Sequence, residues 1–196
     1  MQDDRLKKQV EFILELDKLK TIFRQSYLIH AERRENSAEH SWHVAVMALL
    51  LAEYAEEKVD LLRVLQMLLI HDIVEIDAGD TYCYDEANSL DKAAREKQAA
   101  LRIFGLLPEE QGKELRVIWE EFEAGVSPEA KFANAVDRLM PLLHNYYTQG
   151  KSWQAHGITK DKVLARTVQI QEVSNSLWQW IDALLEDAVA KGYLFK

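Results

Sequence analysis

The sequence predicts an all-α fold, a single-domain helical bundle, from three observations. The chain has 196 residues, enough for one domain built around a single hydrophobic core. Apolar residues make up 48% and charged residues 29%, the balance of a globular rather than a disordered protein. It contains only 7 Gly and 3 Pro, too few turn-forming residues for a β-sandwich. We therefore expect one helical domain over residues 1–196.

The N-terminal part of the chain is predicted to form three helices. Apolar residues at helical spacing predict the first over about residues 3–24. Asn36 followed three residues later by Glu39 is a capping-box pattern, so a second helix is expected over about residues 37–58. A third, over about residues 61–75, is apolar on nearly all sides. Such a helix is expected at the centre of the bundle.

The C-terminal part is predicted to be helical after one loop. Residues 76–89 show no clear periodicity and predict a loop. Prolines, glycines and a capping threonine mark the ends of the later helices. These are predicted over about residues 91–104, 108–124, 128–149 and 159–191. The apolar stripe of the last helix is expected either to pack on the core or to form a dimer face.

Charge and composition exclude several classes of partner. The 24 Lys and Arg against 33 Asp and Glu leave a formal charge of −9, which argues against polymeric nucleic acid as a partner. A small phosphorylated ligand needs only a few local cations and is not excluded. The longest apolar run, residues 44–52, is far shorter than the ~20 residues of a membrane span. With a charged N-terminus as well, the sequence predicts a cytoplasmic protein with no membrane partner. The single cysteine, Cys83, excludes an internal disulfide and a multi-cysteine metal site.

Two histidines and two aspartates are candidates for a metal site. His71 and Asp72 follow a buried apolar helix, His40 lies at the start of the second helix, and Asp137 lies in a later one. Each alone could be a helix cap or a core hydrogen-bonding group. Together they offer mixed nitrogen and oxygen ligands. Such a set suits one divalent ion, Mn, Fe, Co, Ni or Zn with Mg as a further candidate, and open positions for water.

The order His40, His71-Asp72, Asp137 resembles the HD superfamily of metal-dependent phosphohydrolases. More narrowly, residues 34–41 (RENSAEHS) and 71–80 (HDIVEIDAGD) resemble two segments of the bacterial 5'-deoxynucleotidases and their relatives. The resemblance covers about residues 19–146. It implies a helical domain of the HD type, a divalent metal ion, and removal of phosphate from (deoxy)ribonucleoside 5'-monophosphates. It also implies a homodimer.

The resemblance implies a role for each matching residue. It gives Glu75 and Asp72 catalytic roles, with Glu75 managing the proton of the attacking water, and places Arg24, Asp80 and Arg34 at the substrate. Glu75 also lies four residues after His71, hence on the same face if the helix continues that far. Gln25 stands where the family has an aromatic residue, so the choice of sugar is left open. The implied metal ligands are His40, His71, Asp72 and Asp137.

Alternative readings remain at the level of function and of single residues. The same metal site could hydrolyse a phosphodiester or a pyrophosphate, or belong to a sensing module without activity. A plain helical interaction protein would use His71-Asp72 as a buried structural pair.

Two further histidines and three aromatic residues have two readings each. His43 competes with His40 as a ligand or hydrogen-bonds to the site. His144, seven residues after Asp137, either points to the site or is a core histidine bonded to a carbonyl. The aromatic residues could stack on a base or pack in the core; they are Tyr82, Tyr84 and Trp153.

Overall fold

The computed structural model describes residues 2–85 and 90–196, which form helices and one small sheet, so the predicted all-α class is confirmed. The antiparallel strands are β1 (Phe23–Tyr27) and β2 (Arg34–Asn36). The α-helices are α1 (Gln2–Leu16), α2 (Ser37–Leu51), α3 (Leu61–Ile70), α4 (Glu75–Ala78), α5 (Lys92–Phe104), α6 (Glu109–Ala124), α7 (Pro128–Tyr147), α8 (Lys151–Ala155), α9 (Lys160–Thr167), α10 (Gln169–Val173) and α11 (Asn175–Ala190).

Helices α2, α3 and α7 pack together at the centre of the core. Val64, Met67 and Leu68 of α3 are fully buried, as expected for a central helix. The opposite face of α3 differs from the prediction, because Leu62 and Leu69 are more than half exposed. Among the helices of the described residues, none combines the length and apolar character that a bilayer crossing requires.

The first predicted helix is shorter than expected. α1 ends at Leu16, a 3-10 turn covers Asp17–Thr21, and the chain then enters β1. Phe23 pairs with Asn36 and Tyr27 with Arg34, so the strand depends on residues beyond the reach of a local pattern. Arg24 consequently lies on a strand rather than at a helix end.

The second and third predicted helices also end early. α2 stops at Leu51, and α3 gives way after Ile70 to a 3-10 turn over His71–Val74. A 3-10 turn holds about three residues per turn instead of 3.6, so it changes the direction in which successive side chains point. The predicted loop over residues 76–89 begins instead within α4, and its residues 86–89 lie outside the described residues.

The last predicted helix is divided into α9, α10 and α11. Ser174 causes one division, because its extended backbone ends α10 and its hydroxyl accepts a hydrogen bond from the Leu177 amide to begin α11. The apolar stripe of α11 packs on the core through Ile181, Leu184 and Leu185.

An unpredicted short helix, α8, follows α7 at Gly150. This glycine has a φ of +78°, and a Cβ there would lie 1.9 Å from the Tyr193 carbonyl oxygen. Only glycine permits this contact, which holds the C-terminal segment against the end of α7.

Candidate functional site

The four predicted metal ligands meet at one point between α2, α7 and the turn after α3. His40 Nε2 lies 2.8 Å from Asp137 Oδ1. His71 Nε2 lies 3.1 Å from Asp72 Oδ1 and 3.5 Å from Asp137 Oδ1. Both imidazoles and Asp72 are buried. The structure therefore brings nitrogen and oxygen donors from three elements into one cluster, which we call the HD cluster.

The start of α2 is built to hold His40 in place. Asn36 Oδ1 accepts a hydrogen bond from the Glu39 amide at 2.9 Å, and the Glu39 carboxylate returns to the Asn36 amide at 3.4 Å. This is the predicted capping box, and it satisfies two amides at the helix end. His40 follows in the first turn of α2, where its ring faces α7.

The His71 ring is oriented so that one nitrogen faces the cluster. Its Nδ1 lies 2.9 Å from the Leu68 carbonyl oxygen, to which it donates, so in the neutral ring Nε2 carries the lone pair. Nε2 is buried and makes no hydrogen bond of ordinary geometry, which is costly unless another ligand is bound. Burial alone would lower the pKa of His71, but the carboxylates of Asp72 and Asp137 raise it to about 9. An unpartnered imidazole nitrogen among carboxylates fits a divalent transition metal.

Arg24 balances part of the negative charge of the cluster. Its guanidinium donates to Asp72 Oδ2 at 2.5 Å and lies 3.9 Å from Asp137 Oδ1. Burial alone would lower the pKa of Arg24, but the charges of Asp72, Glu75 and Asp137 raise it. The arginine is therefore a fixed positive charge beside the cluster.

Two further predicted residues stand next to the HD cluster. Glu75 is buried, and its Oε2 accepts a hydrogen bond from the Ser37 hydroxyl at 2.7 Å. Burial and the charge of Asp72 raise the pKa of Glu75 well above its usual value, although Arg24 opposes that rise. Burial also raises the pKa of Asp80, which lines the cleft beside the cluster.

Glu35 is a charged residue of the site to which the sequence assigned no role. It is 1% exposed, and its Oε2 lies 3.3 Å from His40 Nδ1 and 3.7 Å from His144 Nδ1. Burial alone would raise the pKa of Glu35, but the interaction with His40 lowers it. Glu35 lies within the RENSAEHS motif, which was the available signal, but only the pairing of β2 shows that it points inward.

The two additional histidines lie beside Glu35. His144 was expected to bond to a carbonyl if it is a core residue, but its Nδ1 has no hydrogen-bond partner among the described residues and faces Glu35. The ring of His43 lies 6.3 Å from that of His144. Glu35, His43 and His144 each offer an atom within 4.8 Å of the others. Neither additional histidine is part of the HD cluster.

A cleft of about 110 Å³ opens beside the HD cluster. Arg24, Asp80 and Asp137 line one part of it. Its other lining residues include Gln25 and the three aromatic residues Tyr82, Tyr84 and Trp153. Two arginines to which the sequence assigned no role, Arg138 and Arg166, also line it. Arg34 is not among the lining residues, since its guanidinium lies over the Tyr27 ring at 5.8 Å. Its expected contact with substrate therefore stays a prediction.

Comparison with known proteins identifies the family. A family model described as the HD domain matches residues 16–178, most of the chain. The chain belongs to the HD-domain family. The resemblance to the HD superfamily is thus confirmed.

The chain is similar to proteins that include two nucleotidases and one phosphohydrolase of solved structure. The human 5'-deoxynucleotidase HDDC2 is 31% identical over 135 residues, which span 68% of this chain and 65% of the human protein. The 5'-deoxynucleotidase hdd1 of Schizosaccharomyces pombe is 28% identical over 94% of this chain and 86% of its own length. The crystal structure of a predicted metal-dependent phosphohydrolase from Magnetospirillum magnetotacticum MS-1 has 52% identity and a TM-score of 0.96. It covers all of this chain and 98% of the other.

Proposed function

We propose that this HD-domain protein is a metal-dependent phosphohydrolase that removes phosphate from deoxyribonucleoside 5'-monophosphates. The observation that carries the proposal is the HD cluster, in which four donor side chains and Arg24 meet beside an open cleft. The names of the human and yeast relatives support the same reaction and the same class of substrate.

The proposed metal ligands are His40, His71, Asp72 and Asp137. His71 would bind through Nε2, because its Nδ1 is taken by the Leu68 carbonyl. A divalent ion in such a site supplies Lewis-acid stabilisation of a phosphoryl oxygen and lowers the pKa of bound water. We propose one ion per chain, Mn, Co, Fe, Ni or Zn, with Mg as a further candidate.

Glu75 is the group placed to take the proton of the attacking water. Its raised pKa suits a carboxylate that accepts a proton and then gives it up. The Ser37 hydroxyl holds one oxygen of Glu75, which leaves the other for the water. The water oxygen forms a bond to phosphorus while the bond from phosphorus to the 5'-oxygen breaks. The proton held by Glu75 then goes to the departing 5'-oxygen.

Arg24 and the cleft bind the rest of the substrate. The planar guanidinium of Arg24 matches two oxygens of a phosphate, and its charge offsets that of the phosphate. Asp80 can accept a hydrogen bond from a sugar hydroxyl, and the Gln25 amide stands beside it in the cleft lining. The rings of Tyr82 and Tyr84, 5.3 Å apart, offer the base an aromatic surface.

The proposal extends to the organisation of the protein. We propose that residues 1–196 form one domain and that the protein acts as a cytoplasmic homodimer. In the apolar stripe of α11, Ile181, Leu184 and Leu185 are buried within the chain, while Trp180 is about half exposed.

Phosphate release from a panel of ribo- and deoxyribonucleoside 5'-monophosphates tests this function. The protein is stripped with a chelator, and Mn, Co, Mg or Zn is then restored, with Asp72→Ala measured in parallel. We expect metal-dependent release that favours the deoxy substrates and is lost in Asp72→Ala. A protein that binds metal at these residues but releases phosphate from none of the nucleotides would refute the proposed function.

A further inference from the structure

Most arginines of this acidic chain are paired with carboxylates. Of its 10 arginines, 7 lie within 4.0 Å of a carboxylate oxygen, namely Arg5, Arg24, Arg33, Arg63, Arg95, Arg102 and Arg116. Arg34 lies over the Tyr27 ring. The remaining two, Arg138 and Arg166, have no carboxylate in that range among the described residues, and both line the cleft. In a protein with a net charge of −9, two such arginines side by side need an explanation.

The contacts of Arg138 hold it against Arg166. Its guanidinium donates to the Arg166 carbonyl oxygen at 3.3 Å and to the Gln169 side-chain oxygen. Both acceptors are neutral, so neither offsets the positive charge. Arg138 is also partly buried. The fold therefore brings two like charges together in a partly desolvated place, which is unfavourable without an anion.

The pair lies beside the HD cluster, not within it. Arg138 directly follows Asp137 on α7, and successive helical residues point about 100° apart around the axis. Arg166 comes from α9, and its charge acts on the hydroxyl of Tyr84 in the cleft lining. Arg166 is also exposed, so a ligand in the cleft can reach it. Asp137 lines the same cleft, so a molecule bound there can contact both the HD cluster and the two arginines.

We propose that Arg138 and Arg166 form a second anion subsite, so that the preferred substrate carries a second phosphate on its leaving group. The chemical class is a nucleoside 3',5'-bisphosphate, with the 5'-phosphate at the HD cluster and the 3'-phosphate at the arginine pair. Two planar guanidinium groups offer paired donors that match the oxygens of a phosphate dianion. A nucleoside monophosphate places its only anion at the HD cluster and leaves the pair without a counterion. The bond that breaks is still the one to the 5'-oxygen, so this inference rests on the proposed function for its chemistry.

Matched substrates test the subsite. The metal-loaded protein is assayed with deoxyadenosine 5'-monophosphate and with deoxyadenosine 3',5'-bisphosphate. We expect kcat/KM about tenfold or more higher for the bisphosphate, since hydrogen bonds between charged groups are strong. In Arg138→Gln/Arg166→Gln the ratio of kcat/KM for the bisphosphate to kcat/KM for the monophosphate should fall to about one. Equal kcat/KM for the two substrates in the wild-type protein would overturn the proposal.

A binding measurement makes the test independent of catalysis. Inorganic phosphate is titrated into the metal-loaded wild-type protein and into Arg138→Gln/Arg166→Gln by calorimetry. We expect the double variant to lose one class of phosphate site, and Arg138→Lys/Arg166→Lys to retain it with reduced affinity. Arg116→Gln is the matched control, because it removes a positive charge that is paired with Glu120 away from the cleft. Unchanged phosphate binding in the double variant, with circular dichroism showing a folded protein, would refute the subsite.

The two measurements separate this inference from the proposed function. If no nucleotide is hydrolysed but the double variant loses a phosphate site, the reaction is wrong and the subsite stands. If the monophosphate is hydrolysed but neither the 3'-phosphate nor the arginine substitutions change kcat/KM, the function stands and the subsite is wrong.

Discussion

Two parts of the cleft, the HD cluster and the arginine pair, carry opposite excesses of charge. At the HD cluster, Asp72, Asp137, Glu75 and Asp80 surround Arg24. At the arginine pair, the hydrogen-bond acceptors of Arg138 are neutral. Like charges are held close together only where an opposite charge offsets them. The comparison thus indicates what each part binds, a metal cation at the cluster and an anionic group at the arginine pair.

The largest effect is expected from Glu75→Gln, which separates the rate of the chemical step from metal binding at the HD cluster. The substitution removes the proton acceptor but keeps the size of the side chain and its contact with Ser37. General acid–base catalysis contributes typically 10²–10⁴-fold, so we expect kcat to fall by about that factor. Metal content by atomic emission should stay near one ion per chain. An unchanged kcat with metal bound would show that Glu75 has another role.

A smaller effect is expected from Glu35→Gln, which tests whether the buried carboxylate beside His40 supports the cluster. Loss of a carboxylate that orients a ligating histidine typically costs about 10–100-fold in metal affinity. We expect a weakening in that range by titration with Co²⁺, measured from the absorption of the bound ion. Glu120→Gln is a matched control, since Glu120 is paired with Arg116 at the surface, away from the HD cluster. Equal Co²⁺ affinity in the Glu35→Gln variant and the wild type would contradict the role.

The smallest effect is expected from Asp60→Ala, a substitution outside the HD cluster and the arginine pair. The Asp60 carboxylate caps α3 by accepting from the Leu62 and Arg63 amides. Asp60→Ala should lower the free energy of unfolding by about 1 kcal/mol, the usual value of an N-cap. Thermal or denaturant unfolding measures this. Metal affinity and kcat/KM should match the wild type. If the folded variant bound metal more weakly or had a lower kcat/KM, the cap would also position His71.

Short segments of the sequence predicted much of the site. The capping box at Asn36 and Glu39 predicted where α2 begins, and therefore where His40 stands in its first turn. The adjacent His71-Asp72 at the end of an apolar helix predicted a buried polar pair, and the structure places it there. The family followed from the same segments and is confirmed. These features depend on residues within about one helical turn of each other, which local patterns record well.

Other parts required the tertiary structure. The first two residues of β1, Phe23 and Arg24, were predicted as the end of a helix, because the partner strand β2 is three residues long and too short to show a period of two. That pairing sets the positions of Arg24 and Glu35, which then meet Asp72 and His40. Arg138 and Arg166 are 28 residues apart, and nothing in either segment predicts that they line one cleft.

The sequence by itself thus determined the helical class, the family and the four donors of the HD cluster, since each is recorded in residue type and local spacing. The tertiary structure decided which charges surround those donors and which arginines line the cleft beside them. Charge balance is a property of distances in space, and residues far apart in the chain set those distances only after the core has formed.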